Sequence, residues 1–262
     1  MSSSLHGMYR FARAVLRPIM TPWVRIEAAG EENIPERGPA ILVFNHLSEV
    51  DPLCVCWFFM KRDLPVRFLA KKSLFEVPVF GSIISAMGLI PVDREGDAAR
   101  SLDAAKEALA RGEVIVIMPE GTLTQEPDMW PMSFKTGAAR LALDTGAPIV
   151  PVAQWGPQDI MDRYEPGIDL RPGRRVRYAF RPALDLSDLR TQAGSEDREA
   201  VAQAVSRMHR EVSAGVEGLR GLSAPETIWQ AGTRSGPWWE AELKERARKE
   251  KKAARRARRR GE

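Results

Sequence analysis

The sequence predicts an α/β fold, with a largely parallel, mixed sheet flanked by helices. Three observations predict it. Short apolar runs alternate along the chain with helical patterns of about a dozen residues. Two of those runs, Ala40–Phe44 and Val114–Met118, are apolar throughout, as core strands are. Gly112 and Gly146 stand where helix C-terminal caps are expected. An N-terminal amphipathic helix and a basic helical tail extend this core.

The elements follow in order. Residues 1–22 hold a helix whose Leu5, Met8, Phe11, Ala12, Val15, Leu16 and Ile19 fall within an arc of roughly 140°. Arg10, Arg13 and Arg17 lie on the other side with no acid among them, which suits either anionic lipid or a packed surface helix. Residues 23–222 form the main domain, with its motif-bearing core at 40–154. Its expected strands are Val24–Ala28, Ala40–Phe44, Val66–Ala70, Val114–Met118, Ile149–Ala153 and Arg175–Phe180. Its expected helices are Pro52–Met60, Val79–Met87, Ala98–Ala110, Lys135–Thr145 and Ser195–Leu219. Residues 223–237, rich in Gly, Pro, Ser and Thr, read as a linker, and 238–262 as a basic tail opened by Trp238 and Trp239.

Charge and composition narrow the function classes. The net charge of +4 is uneven, because residues 244–262 carry eleven Lys or Arg against three Glu. Two tryptophans beside such a run fit an anionic membrane surface, a solvated extension or, less well, nucleic acid. Cys54 and Cys56 are poorly spaced for zinc and read as small core residues. His6, His46 and His209 lack metal-ligand spacing, so no metal is expected. No run approaches the roughly 20 apolar residues of a membrane span, and no signal peptide is evident. A protein on the cytoplasmic side is expected.

The chemistry concentrates at strand ends. His46 follows Ala40–Phe44 directly, and Asp51-Pro52 reads as the N-cap and first residue of the next helix. A positioned imidazole can take a proton from a hydroxyl while a carboxylate fixes its tautomer. A loop histidine and a capping aspartate without chemistry would read the same way. Gly88-Leu89-Ile90-Pro91-Val92-Asp93-Arg94 ends in an acid and an arginine that could grip a phosphate or form a surface ion pair. Pro119-Glu120-Gly121-Thr122 breaks the apolar strand before it, and ligands collect at such strand ends. Ala147–Val152 reads as core strand or acyl-chain wall.

Taken in this order, from about Ala40 to Gln154, these segments resemble the glycerophospholipid acyltransferase family, specifically the 1-acylglycerol-3-phosphate acyltransferases. The resemblance implies that fold, with His46 and Asp51 as the catalytic pair. It implies an acceptor and phosphate site from Lys71, Lys72, Arg94, Glu120, Gly121 and Thr122. Asn45, Gly88, Asp93, Pro119 and Lys135 would support it, Lys135 lying in the matching stretch Phe134-Lys135-Thr136-Gly137. Thr124–Met132 resembles an actinobacterial branch. The implied reaction moves an acyl group from acyl-CoA or acyl carrier protein, without a cofactor, to a lysophospholipid hydroxyl at the cytoplasmic face of the membrane. One position departs: Leu123 stands where the family commonly has Arg, although Lys135 or Arg140 could compensate. That departure keeps open an acceptor with another headgroup, or a glycolipid. A non-catalytic lipid-binding protein on the same fold is the alternative from another class.

Overall fold

A computed structural model describes residues 3–36, 38–71, 76, 89–92, 98–165 and 167–244. Helix α1 (Ser3–Trp23) leads into β1 (Val24–Ala29) and β2 (Ala40–Phe44). Then come α2 (Asp51–Lys61), β3 (Val66–Lys71), β4 (Ile90–Val92), α3 (Ala98–Ala110) and β5 (Val114–Ile117). The chain continues through α4 (Gly137–Thr145), β6 (Ile149–Trp155), β7 (Arg174–Phe180) and α5 (Arg198–Arg220). The seven strands among the described residues form one sheet in the order β1-β7-β6-β2-β5-β3-β4. Every neighbouring pair is parallel except β6 and β7. The α/β expectation holds.

Strand β2 shows why the central runs are apolar throughout. Its side chains alternate between faces, and both faces are covered. Ala40, Leu42 and Phe44 join a core layer with Trp57, Phe58 and Phe59 of α2 and Tyr9 and Met20 of α1. Ile41 and Val43 join the opposite layer, with Ala105 of α3, Leu141 of α4 and Val212 of α5. Edge-to-face contact ties Phe44 of β2 to Tyr178 of β7, and Phe58 of α2 stacks on Phe180 of β7. Cys54 and Cys56 are free thiols in this layer, and burial pushes the Cys56 thiol up to about 12.

Helix α1 divides its apolar arc. Ala12 and Leu16 pack on the core beside buried Tyr9 and Met20, whereas Phe11, Val15 and Ile19 face outward. Gly146 closes α4 with a left-handed φ of 71°, its amide bonded to Ala142 O, as a C-cap should. The expected helix Val79–Met87 lies outside the described residues. Strand β4, which the apolar run after Gly88 did not announce as a strand, pairs with β3 so that Lys71 and Val92 end side by side.

Residues 223–237 lie along the loop that follows β5, where a linker was expected. Ser133 N donates to Trp229 O, Gly232 N to Gln125 Oε1, and Ala231 N to Ser133 Oγ. Residues 236–244 then turn helical. Among the described residues, no helix is long and apolar enough to cross a membrane.

Candidate active site

Four parallel neighbours, β6, β2, β5 and β3, send their C-terminal ends to one edge of the sheet. Asn45 and His46 leave β2 there, and Met118 to Thr122 leave β5. Ligand-facing loops belong at this edge in open α/β sheets.

His46 is held from three directions. Its ring nitrogen Nδ1 lies 2.8 Å from Asp51 Oδ2. An ionised carboxylate only accepts, so Nδ1 carries the proton and Nε2 keeps the basic lone pair. Its backbone amide donates to Glu120 Oε1 at 2.8 Å, and its carbonyl accepts from Thr124 N at 2.8 Å. Asn45, next in the chain, shares three hydrogen bonds with Gln154 at the end of β6. The ring still reaches solvent, with 16% of the side chain exposed, while Asp51 is wholly buried.

Asp51 corrects one sequence expectation. Val50 is the N-cap of α2, and Asp51 is its first helical residue, without a capping bond to the helix. Its Oδ2 instead accepts from Leu47 N at 2.7 Å, Ser48 N at 3.1 Å and the His46 ring. Three donors on one oxygen outcompete a cap, and they fold the loop back onto the carboxylate. Pro52 is therefore the second helical residue rather than the first, still within the first turn, where it loses no donor.

The electrostatics make the imidazole more basic than an ordinary one. Burial pushes the His46 pKa down, but the hydrogen bond and charge of Asp51 outweigh it, with Glu120 and Glu49 adding their charge. The net shift is upward. Burial also raises the Glu120 carboxyl to about 7, against the pull of the Met132 and His46 amides.

Glu120 was expected among acceptor-binding residues. It is fully buried, with Oε1 on His46 N and Oε2 on Met132 N at 3.1 Å. It therefore braces the histidine from beneath. Gly121 takes a left-handed φ of 74°, and a Cβ there would meet Lys135 Cε and Nζ at 2.7 Å. The Lys135 side chain thus lies across the turn, and its amide donates to Pro119 O. Thr122 is exposed beside it. Among the described residues, no acceptor meets the amides of Thr122 or Leu123. The expectations for Lys72, Gly88, Asp93 and Arg94, and for the Lys71 side chain, lie outside the described residues. Among the described residues no cluster could hold a metal ion.

Several residues that position the site escaped the sequence reading. Gln154 is one, although a buried glutamine near the end of an apolar strand parallels Glu120 just beyond β5. Arg163 is another: it donates to the carbonyls of Thr124 and Glu126 at 2.7 Å and Pro127 at 2.8 Å. Arg220 bonds Asp128 O and sits over the rings of Trp130 and Trp155. Both arginines are distant in sequence from the loop they hold, and no local pattern marks them.

A histidine oriented by a buried aspartate thus stands at the ligand-facing edge of an α/β sheet, and comparison with known proteins gives the chain a family. The family profile described as Acyltransferase matches residues 25–155, half of the chain, which belongs to that family. The chain is similar to the 1-acyl-sn-glycerol-3-phosphate acyltransferase of Borreliella burgdorferi, at 31% identity over 168 residues covering 63% of this chain and 64% of that protein. The Bacillus subtilis protein of the same name is 27% identical, with 71% of this chain and 92% of that one covered. The crystal structure of the 1-acyl-sn-glycerophosphate acyltransferase PlsC from Thermotoga maritima matches with a TM-score of 0.62. That match covers 84% of this chain and 81% of the other at 23% identity, a likeness of fold. The chain spans less than two thirds of the Borreliella protein and 42% of a chloroplastic relative from Brassica napus.

Proposed function

We propose that the protein transfers an acyl group from acyl-CoA or acyl carrier protein to the free hydroxyl of 1-acyl-sn-glycerol-3-phosphate, giving phosphatidic acid. The observation that carries this reading is the His46 ring, tied at Nδ1 to a buried carboxylate, with the side chain still partly exposed to solvent. A thioester is already activated, so the acceptor alcohol can serve as nucleophile directly. His46 Nε2 takes the hydroxyl proton as the oxygen bonds to the thioester carbonyl carbon. Asp51 stabilises the imidazolium so formed, as the aspartate of a hydrolase triad does. The open amides of Thr122 and Leu123 can donate to the tetrahedral oxyanion. Collapse breaks the carbon–sulfur bond, and the leaving thiolate recovers the proton from His46.

The headgroup falls to the cations around the turn. Lys135, exposed and lying over Gly121, supplies a charge close to where the usual arginine is replaced by Leu123. Lys71, Lys72 and Arg94 are the further cations the resemblance names. Leu123 favours one second reading, an acceptor bearing another headgroup. The acceptor is a bilayer lipid, so we place the protein at the cytoplasmic face of the membrane. The outward stripe of α1 and the basic tail would be its attachments.

His46→Ala should lose about 10²–10⁴ in kcat, with circular dichroism and vesicle binding unchanged. Thiol release from acyl-CoA, measured with a panel of lysophospholipid acceptors, checks this and ranks the headgroups. Near-normal turnover by the variant removes His46 from the chemistry.

A further inference from the structure

The described residues expose eight large apolar side chains, and five of them lie on α1 and on one loop before β7. Phe11, Val15 and Ile19, at 67%, 52% and 58% exposure, recur every fourth residue along α1. They cover about 80° of the helix at 100° per residue. Ile168 and Leu170, at 46% and 68%, stand on the loop. Scattered exposed apolar residues are ordinary, but a concentrated set marks an interaction surface.

That loop is firmly built. Trp23 Nε1, at the end of α1, donates to Asp169 O at 2.7 Å, and Gly173 N donates to Pro22 O at 2.9 Å. Asp169 N donates to Ile160 O at 2.7 Å. The Asp169 carboxylate is matched by Arg171 and Arg174, so the acid between the two apolar residues is neutralised. The same stretch of chain reaches the catalytic loop, because Met161 O accepts from Ser48 Oγ at 2.7 Å. Ser48 lies between His46 and Asp51. Leu170 and the imidazole are therefore linked through a braced segment, and the end of α1 is tied to that segment.

We propose that Ile168 and Leu170 insert into the surface of an anionic bilayer beside the α1 stripe, docking the catalytic loop against the membrane that holds the acceptor. Charge argues for this occupant: α1 contains three arginines and no acid, with Arg10 and Arg17 exposed. The inference rests on the reading that the acceptor is a membrane lipid. Two attachment points fix an orientation that one helix would leave free to roll. A loop already fixed by backbone hydrogen bonds loses little freedom when it enters lipid.

The test uses the full chain with the double substitution I168E/L170E. Its partition onto vesicles of phosphatidylcholine with phosphatidylglycerol should fall by about tenfold or more. Turnover of vesicle-presented lysophosphatidate should fall with it, while turnover of a short-chain, monomeric lysophosphatidate is retained. Failure of the wild type on the monomeric acceptor would refute the acyltransferase reading, which separates the two claims. Unaltered partition of the variant overturns the docking proposal, as does a change from dimer to monomer on sedimentation, which assigns the face to a second copy. Leu170→Cys gives a second measure, since Cys54 and Cys56 are buried and the new thiol can be labelled selectively. An environment-sensitive fluorophore there should shift to the blue on adding vesicles. Constant emission contradicts insertion.

Discussion

The proposed base is set by one oxygen atom. Asp51 Oδ2 collects the His46 ring and two backbone amides, so the aspartate shapes the loop and tunes the imidazole at once. Its influence raises the His46 pKa above the ordinary 6.5. A base must be neutral to act, so kcat/KM should climb with pH through a midpoint above 6.5. The stability this pair contributes is full below the unfolded value and is lost as pH rises through the folded one. Asp51→Asn leaves burial opposed only by the charges of Glu120 and Glu49: the acid limb of the pH–rate profile should move down and kcat should fall by up to about 10⁴-fold. An acid limb that stays in place would detach the aspartate from the titration. Glu120 is a second test at this scale. Glu120→Gln turns an amide donor toward either His46 N or Met132 N, both donors themselves. A loss of about 1–3 kcal/mol in urea unfolding is expected, and unchanged stability would argue against the brace.

Between residue and fold stands the loop from Glu120 to Ser133. Its start holds both peptide groups of His46, and its end carries the amide that holds Glu120. Thr124 Oγ1 bonds Trp130 O, and Trp130 N bonds Glu126 Oε2, so the loop is closed on itself. Met129 is held there at a φ of 64°, a conformation that costs a residue with a side chain roughly 1–3 kcal/mol. Arg163, Arg220 and residues 229–232 supply the outside support that keeps it so. Arg163→Met removes three charge-assisted donors, and the urea midpoint should drop by the equivalent of about 1.5–3 kcal/mol. Turnover should fall through kcat, with the KM for the acyl donor little changed. A variant with wild-type midpoint and kcat would show the loop to be self-sufficient.

Across the whole molecule, the sequence was most legible where the physics is local. Fully apolar runs marked β2 and β5, because a strand covered on both faces has no position for a polar side chain. His46 and Asp51 were legible because they stand only five positions apart in the chain. Contacts made across the fold were not legible. Gln154 on Asn45 spans 109 residues, and Arg163 on the loop carbonyls spans more than 35. Composition gave no sign that residues 223–237 bond the loop, through the Trp229 carbonyl and the Ala231 and Gly232 amides. Periodicity saw the apolar arc of α1 but could not divide it into a core half and an outward half, a division that only the packed sheet imposes. The sheet edge, the braced histidine and the outward apolar face together support the proposed transfer of an acyl group from a thioester to a lipid alcohol. Its most direct test is phosphatidate formation from acyl-CoA and lysophosphatidate by the wild type and by His46→Ala, followed by mass spectrometry. Product is expected from the first and a loss of about 10²–10⁴ in rate from the second. Equal rates from both, or no product from a folded wild type with any thioester donor, would contradict the proposed transfer.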